Sequence, residues 1–329
     1  MKNFNQIIKS ILFLFLGVLL LWYILKNQDI NKIITEFRNA NYIWLLALFG
    51  VALLSHYFRA LRWNLLINSM GYKTKASETF YAVMLGYIAN IVFPRLGEIT
   101  RCGVLNKRGD VPLDKLIGSV IAERLFDFVC LLIIIFFTIL FQLDFLNNFL
   151  NKYIVFPLQN NGSPNLKYVL GFFLLSLIIM LVFIKPIYRK IKQLKFYAKV
   201  EEIIKGLIAG FASILKIKTK ALFSLYTVLI WLLYYFMVYF SFFTLEGTSH
   251  LTVIDGFTIL AIGSLGIVAP VPGGIGTYHW LIITALVSIY SLDETVASSY
   301  AFISHTAQML TIIILGAFSY FMLTLGKKK

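Results

Sequence analysis

Asn90-Ile91-Val92-Phe93-Pro94-Arg95-Leu96-Gly97-Glu98 and Gly266-Ile267-Val268-Ala269-Pro270-Val271-Pro272-Gly273-Gly274 align without a gap at an offset of 176 residues and agree at four of nine positions. Each is a Pro/Gly-broken apolar segment, one in each half of the chain. Backbone that leaves the helix at membrane depth is tolerated only where protein buries it or a wet cavity receives it. Paired breaks in two halves point to a transporter-type binding site near the bilayer middle.

The rest of the sequence supplies the membrane. Apolar residues make up 59% of 329 positions and charged residues 14%, with a mean hydropathy of +0.82. Packed as a soluble domain, the chain would expose far too much apolar surface. Runs such as Ile11–Trp22, Leu131–Phe141, Val169–Ile184 and Met309–Phe318, with their flanks, are long enough to cross a hydrocarbon core of roughly 30 Å. The fold class is therefore an all-α polytopic membrane protein. Trp22-Tyr23 follows the first run in place of a small-residue cleavage site, so that run is expected to remain as a span. Two cysteines, Cys102 and Cys130, and four scattered histidines suggest neither a disulfide framework nor a metal site, and no cofactor is expected.

Charge placement sets the expected topology. Ten Lys/Arg against Glu201 and Glu202 lie between Lys185 and Lys220, giving +8 of a net +15. Bracketed by spans and lacking any nucleic-acid-binding motif, this stretch is not a nucleic-acid site. Its apolar positions follow a helical period, so 185–220 reads as a basic amphipathic segment along the cytoplasmic leaflet. Lys327-Lys328-Lys329 places the C-terminus on the same side, and 244–251, free of Lys and Arg, outside. Six full spans then fall near 8–25, 42–62, 113–142, 167–184, 221–243 and 296–325, with both termini cytoplasmic in a bacterial inner membrane. Arg59 and Arg62 read as cytoplasmic cations flanking the second span.

Segments 76–108 and 252–292 remain, as two Pro/Gly-broken hairpins; the second is either re-entrant or a pair of short spans. A single membrane domain of two halves, 1–142 and 167–329, running in opposite directions is expected: an inverted repeat.

The first break offers Asn90, Arg95, Glu98 and Arg101. Pro94 removes a donor and Gly97 eases the next turn. A half-helix starting near Leu96 would turn its N-terminal amides toward an anion, and guanidiniums suit phosphate. The plainer alternative has Arg95 and Arg101 snorkelling, with Glu98 as partner. Span three carries Glu123, Arg124 and Asp127 about 15 Å deep; lipid-facing they would cost several kcal/mol, so they should face the interior. Glu123 would hold Arg95 or Arg101, and Arg124 neighbours Asp127 at i,i+3.

The second break, Pro270 and Pro272 followed by Gly273, Gly274 and Gly276, permits close approach to a ligand or to another backbone. His279, His305 and Gln308 read first as helix–helix hydrogen bonds.

Arg62-Trp63, Asn90…Pro94-Arg95-Leu96-Gly97-Glu98…Arg101, Glu123-Arg124…Asp127 and Pro272-Gly273-Gly274-Ile275-Gly276, in this order, resemble the flippase-like family, also called the lysylphosphatidylglycerol synthase transmembrane region. The resemblance implies a lipid-handling membrane fold mapped onto those residues. In the better-understood members a C-terminal soluble domain transfers an aminoacyl group; with the sequence ending at Lys329, that activity is not implied here. The function expected is a lipid or lipid-linked headgroup translocase whose partner is a membrane lipid with an anionic headgroup. The alternatives are a membrane enzyme of lipid modification and a scaffold for a separate synthase or glycosyltransferase.

Overall fold

A computed structural model of the chain describes residues 30–109, 111–141, 219–269 and 271–325, with parts of 15–26. The expected span 167–184, residues 185–218 of the basic segment, Pro270 and the terminal lysines lie outside the described residues, as does part of the first span. Two compact units make up the chain, residues 1–135 with 210–329, and residues 136–209. The described helices belong to the first unit, apart from the end of one.

The described helices are α1 (Ile30–Asn39), α2 (Tyr42–Ser69), α3 (Ala76–Val92), α4 (Leu96–Gly109), α5 (Leu113–Phe141), α6 (Lys220–Phe242), α7 (Val253–Val268), α8 (Thr277–Tyr290) and α9 (Glu294–Leu325). No strand occurs among the described residues. α2, α6 and α9 are long and apolar enough to cross a membrane, and the 29 residues of α5 give it comparable reach. The protein is an all-α polytopic membrane protein.

Local chemistry sets several helix starts. The Asn41 side chain accepts the Ile43 N–H at 3.1 Å, and Asp255 accepts the Thr252 N–H at 2.7 Å, each satisfying a donor that a helix start leaves free. Asp293 accepts the Thr295 N–H at 2.8 Å, and that bond holds its exposed carboxyl below the usual carboxylate range.

α2 lies along α6. α3 and α4 fold back on each other, as do α7 and α8, giving two helix–break–helix hairpins. The first hairpin packs with α2, the start of α5 and Phe223 around Trp63, Leu66, Ile67, Val83, Leu105 and Leu116. The second packs with the end of α6 and the first half of α9 around Phe242, Ile259, Ile282, Leu286 and Tyr300. α9 also runs along α3, with Leu315 against Met84 and Phe80, so it touches both hairpins.

One expectation is corrected. α2 does not end near residue 62 with Arg59 and Arg62 in a polar flank; it continues to Ser69 and buries both, at 4% and 0% exposure. Carboxylates on α5 face them, and pairing inside protein replaces the hydration those cations would have kept outside.

Candidate functional site: a charged cluster beside an apolar cavity

The first hairpin turns through Phe93, Pro94 and Arg95. Arg95 takes a left-handed φ of 64°, a conformation that costs a non-glycine residue of order 1–2 kcal/mol. Its side chain is exposed and makes no ion pair among the described residues. Gly97 matters for its missing side chain: a Cβ there would run into the Gly86 carbonyl and meet the Asn90 side chain at 2.7 Å. Asn90 Oδ1 accepts the Gly97 N–H at 2.7 Å, so one of the amides that starts α4 is bonded within the hairpin.

Behind this turn is the charged cluster. Glu123, fully buried, takes Arg59 at 2.8 Å and Arg62 at 3.4 Å on Oε1, and Arg101 at 3.0 Å on Oε2. Asp127 takes Arg62 at 2.7 Å and Arg59 at 3.0 Å. Arg59 also donates to Tyr234 at 2.9 Å, and Arg62 to Thr227 at 3.3 Å. Arg101 lies over the Trp63 ring, 4.7 Å from its centroid. Arg124 pairs with Glu98 at 2.9 Å and is 42% exposed. Arg124 and Asp127, neighbours in sequence spacing, thus have different partners. Four guanidiniums against three carboxylates leave one net positive charge, with Arg59, Arg62, Arg101 and Glu123 buried and the Arg124–Glu98 pair partly exposed.

Beside the cluster is a cavity of about 420 Å³. Its polar end is formed by His56, Arg59, Tyr87, Arg124, Asp127 and Tyr234, and the rest is largely apolar, with Phe128, Leu131, Trp231, Val238, Ile259, Leu260, Ile267, Val268 and Ile312. Tyr278 and Gln308 line it as well. His56 Nδ1 and Arg59 Nε are buried without a hydrogen-bond partner. A buried unbonded polar atom costs about 1–3 kcal/mol, so both are set to receive one.

The second hairpin turns through 271–276, with Gly273, Gly274 and Gly276 all left-handed at φ 58°, 72° and 83°. Pro272 and Gly274 are buried in it. His305 holds the Gly273 carbonyl at 2.9 Å, and Thr277 donates to the Gly266 carbonyl at 2.8 Å across the limbs. The second turn packs against the end of α3, just before the first turn: a Cβ on Gly273 would lie 3.9 Å from Ile91 Cα, and the Pro272–Gly274 turn contacts α3.

Of the residues selected from sequence, Arg124, Asp127 and Gln308 line the cavity. Glu98, Arg101, Glu123 and Arg62 belong to the adjoining ion pairs. Asn90, Pro94 and Gly97 shape the first turn, and Pro272, Gly273, Gly274 and Gly276, with His279 and His305, the second. Arg95 stands apart from the ion pairs. Sequence reasoning missed Arg59, His56, Tyr87 and Tyr234. A signal existed for two of them: Ala52, His56 and Arg59 recur at i, i+4, i+7 on one face of α2, matching the i,i+4 carboxylates Glu123 and Asp127.

Residues 7–316 match the family model of the lysylphosphatidylglycerol synthase TM region. The chain belongs to this family. It is 27% identical over 137 residues to the UPF0104 membrane protein MJ1595 of Methanocaldococcus jannaschii, covering 41% of this chain and 40% of that one. It is 28% identical over 115 residues to the glycosyltransferase AglD of Haloferax volcanii, covering 35% of this chain and 18% of that one. The chain thus matches well under two thirds of either curated relative's length. No solved structure matches it.

Proposed function

We propose that the protein binds the anionic headgroup of a membrane lipid, or of a lipid-linked carrier, at the polar end of this cavity and passes it between leaflets. Arg59 and Arg124 would meet the phosphate, and His56 and Tyr234 would complete the contact. Acyl or isoprenoid chain would lie along the apolar wall of α5, α6 and α7. The orientation proposed has both termini on the cytoplasmic side of the cytoplasmic membrane, following the positive-inside bias.

The observation that carries this reading is that His56 and Arg59, each with a buried ring or guanidinium nitrogen lacking a hydrogen-bond partner, as Trp231 also has, line the charged end of an otherwise apolar cavity. Intramembrane ionisable groups mark substrate pathways by default. Excess positive charge favours an anion, and helix-broken segments beside the site supply parts that can shift.

Leaflet exposure of fluorescent phosphatidylglycerol in proteoliposomes tests the proposal. Protein should speed exchange over empty vesicles. Arg124→Gln, which removes a half-exposed cation and leaves the buried pairs intact, should slow it about tenfold, the factor that losing one charge-assisted contact gives. Equal rates for the two proteins would remove the claim. A polyprenyl-phosphate sugar as a second cargo separates a phospholipid from a glycan carrier, the class that the relative named as a glycosyltransferase suggests.

A further inference from the structure

We infer that Glu98 is a displaceable counter-ion for Arg124: a phosphate-bearing anion in the cavity takes Arg124 over, and Glu98 thereby sets how tightly that anion is held. The exchange of partners rests on the site proposed above for where the anion lies. It needs only a phosphate, whether on a lipid or free.

Arg124 is unlike the other guanidiniums of the cluster. Arg59 is held by Glu123, Asp127 and Tyr234, Arg62 by Glu123, Asp127 and Thr227, and both are buried. Arg101 is buried as well, on Glu123. Among the described residues Arg124 has a single ion pair, one nitrogen on one oxygen of Glu98 at 2.9 Å, with the side chains 42% and 28% exposed. A one-point, partly exposed pair is the easiest kind to exchange. A guanidinium engaged at one nitrogen also keeps most of its five donors for a second anion.

Position decides what Glu98 is exchanged for. Arg124 borders the cavity beside His56 and Arg59, whereas Glu98 is not among the described residues that line it. Arg124 thus stands between an internal carboxylate and the space an anion would enter. Arg59 has only Nε left to offer there, because both of its terminal nitrogens are already bonded. His56 adds Nδ1. The full guanidinium fork that suits a phosphate therefore has to come from Arg124.

A phosphate diester carries the same unit charge as a carboxylate, so Arg124 alone would not prefer it. Two further features tip the balance. The anion also meets Arg59 Nε and His56 Nδ1, which are buried and unbonded without it. Glu98, for its part, has another partner at hand. Arg101 is its i,i+3 neighbour on α4, and Arg101 Nε and Nη2 are buried with no hydrogen-bond partner, as is Glu98 Oε2. One turn of helix therefore carries an unbonded acceptor and two unbonded donors, and joining them satisfies groups that the Arg124 pair leaves unmet. Without an anion Arg124 has no other carboxylate within ion-pair distance among the described residues, which keeps Glu98 where it is. Arg101 holds Glu123 through Nη1 throughout, so α4 stays tied to α5 while the exposed pair opens.

Titration calorimetry of the full-length protein in a neutral detergent tests this, with short-chain phosphatidylglycerol and with glycerol phosphate as the two anions. Glu98→Gln, which keeps the size and removes the competing charge, should tighten Kd about threefold, the worth of one partly exposed ion pair. Arg124→Gln should weaken it about tenfold. In the Arg124→Gln background, Glu98→Gln should have no effect, because nothing is left to compete for. A gain that persists there would mean that Glu98 repels anions through space, and no gain in the presence of Arg124 would mean that it does not compete. Either result overturns the proposal. Should Glu98→Gln fail to fold, Glu98→Asp takes its place: it keeps the charge but draws the carboxylate back from Arg124, and unchanged affinity there overturns the proposal equally. Glycerol phosphate following this pattern while phosphatidylglycerol does not bind would keep the exchange and lose the lipid function proposed above. Phosphatidylglycerol binding alike to wild type and Glu98→Gln would do the reverse. Binding of neither anion to the wild type removes both.

Discussion

In the first hairpin the chain turns through Pro94 with Arg95 in the left-handed region, and the returning limb is tied down by Arg101–Glu123 and Glu98–Arg124. In the second, three glycines take the left-handed positions, and the turn is held by neutral bonds from His305 and Thr277. The difference is one of rigidity. The Arg101–Glu123 pair is buried and costly to separate, because each released charge would face no water, whereas Glu98–Arg124 is partly exposed and adds less. Neutral hydrogen bonds to a glycine turn can be exchanged for about 1 kcal/mol each. The first hairpin is thus the fixed wall of the cavity and the second the yielding one.

The sharpest way to break this contrast is Glu123→Ala. It leaves Arg59, Arg62 and Arg101 with Asp127 as the one carboxylate within ion-pair reach of the first two and none for Arg101. Stability should fall by about 3–5 kcal/mol, the usual loss when one partner of a buried pair is removed. Thermal unfolding in detergent reads it. His305→Ala, its counterpart in the second hairpin, leaves the Gly273 carbonyl without its donor and should lose about 1–3 kcal/mol. Similar losses would mean that the two hairpins are held equally firmly.

A smaller effect tests how the first hairpin closes. Gly97→Ala forces a methyl into the Gly86 carbonyl and the Asn90 side chain. Backbone is the main obstacle, so the limbs must part, at about 1–3 kcal/mol. The Asn90–Gly97 bond should weaken with it, seen as faster amide exchange at the start of α4 with little change in α7 and α8.

Much of this architecture was legible in the sequence because membrane helices declare themselves by composition. Both hairpins are visible from Pro94 and from the 270–276 glycine run. The partners of the charges were not. Glu123, Arg124 and Asp127 advertise a buried network, yet spacing along one helix cannot say that Arg124 goes to Glu98 and Asp127 to Arg59 and Arg62. That depends on how α2 rotates against α5. Arg59 was hidden for a related reason: near an apolar run's end, a snorkelling cation and an inward-facing one look alike. Which residue of the first turn takes the left-handed angle was equally unreadable. Gly97 was the natural candidate and Arg95 takes it, because Gly97 is already committed to contact with Gly86.

Arg95 therefore gives the finest test of the comparison. If the two turns differ only in who bears the strain, Arg95→Gly makes the first resemble the second and stability should rise by up to about 1 kcal/mol, the left-handed penalty less the added chain entropy. Thermal unfolding measures that gain, and the phosphatidylglycerol exchange assay is run on the same samples. Higher stability with unchanged exchange marks Arg95 as a turn residue whose charge is incidental. Higher stability with slower exchange marks the strain as stored at a working position, where an exposed guanidinium with no ion pair among the described residues is held beside the break. Unchanged or lower stability would mean that the arginine side chain supports the turn through contacts worth as much as the strain.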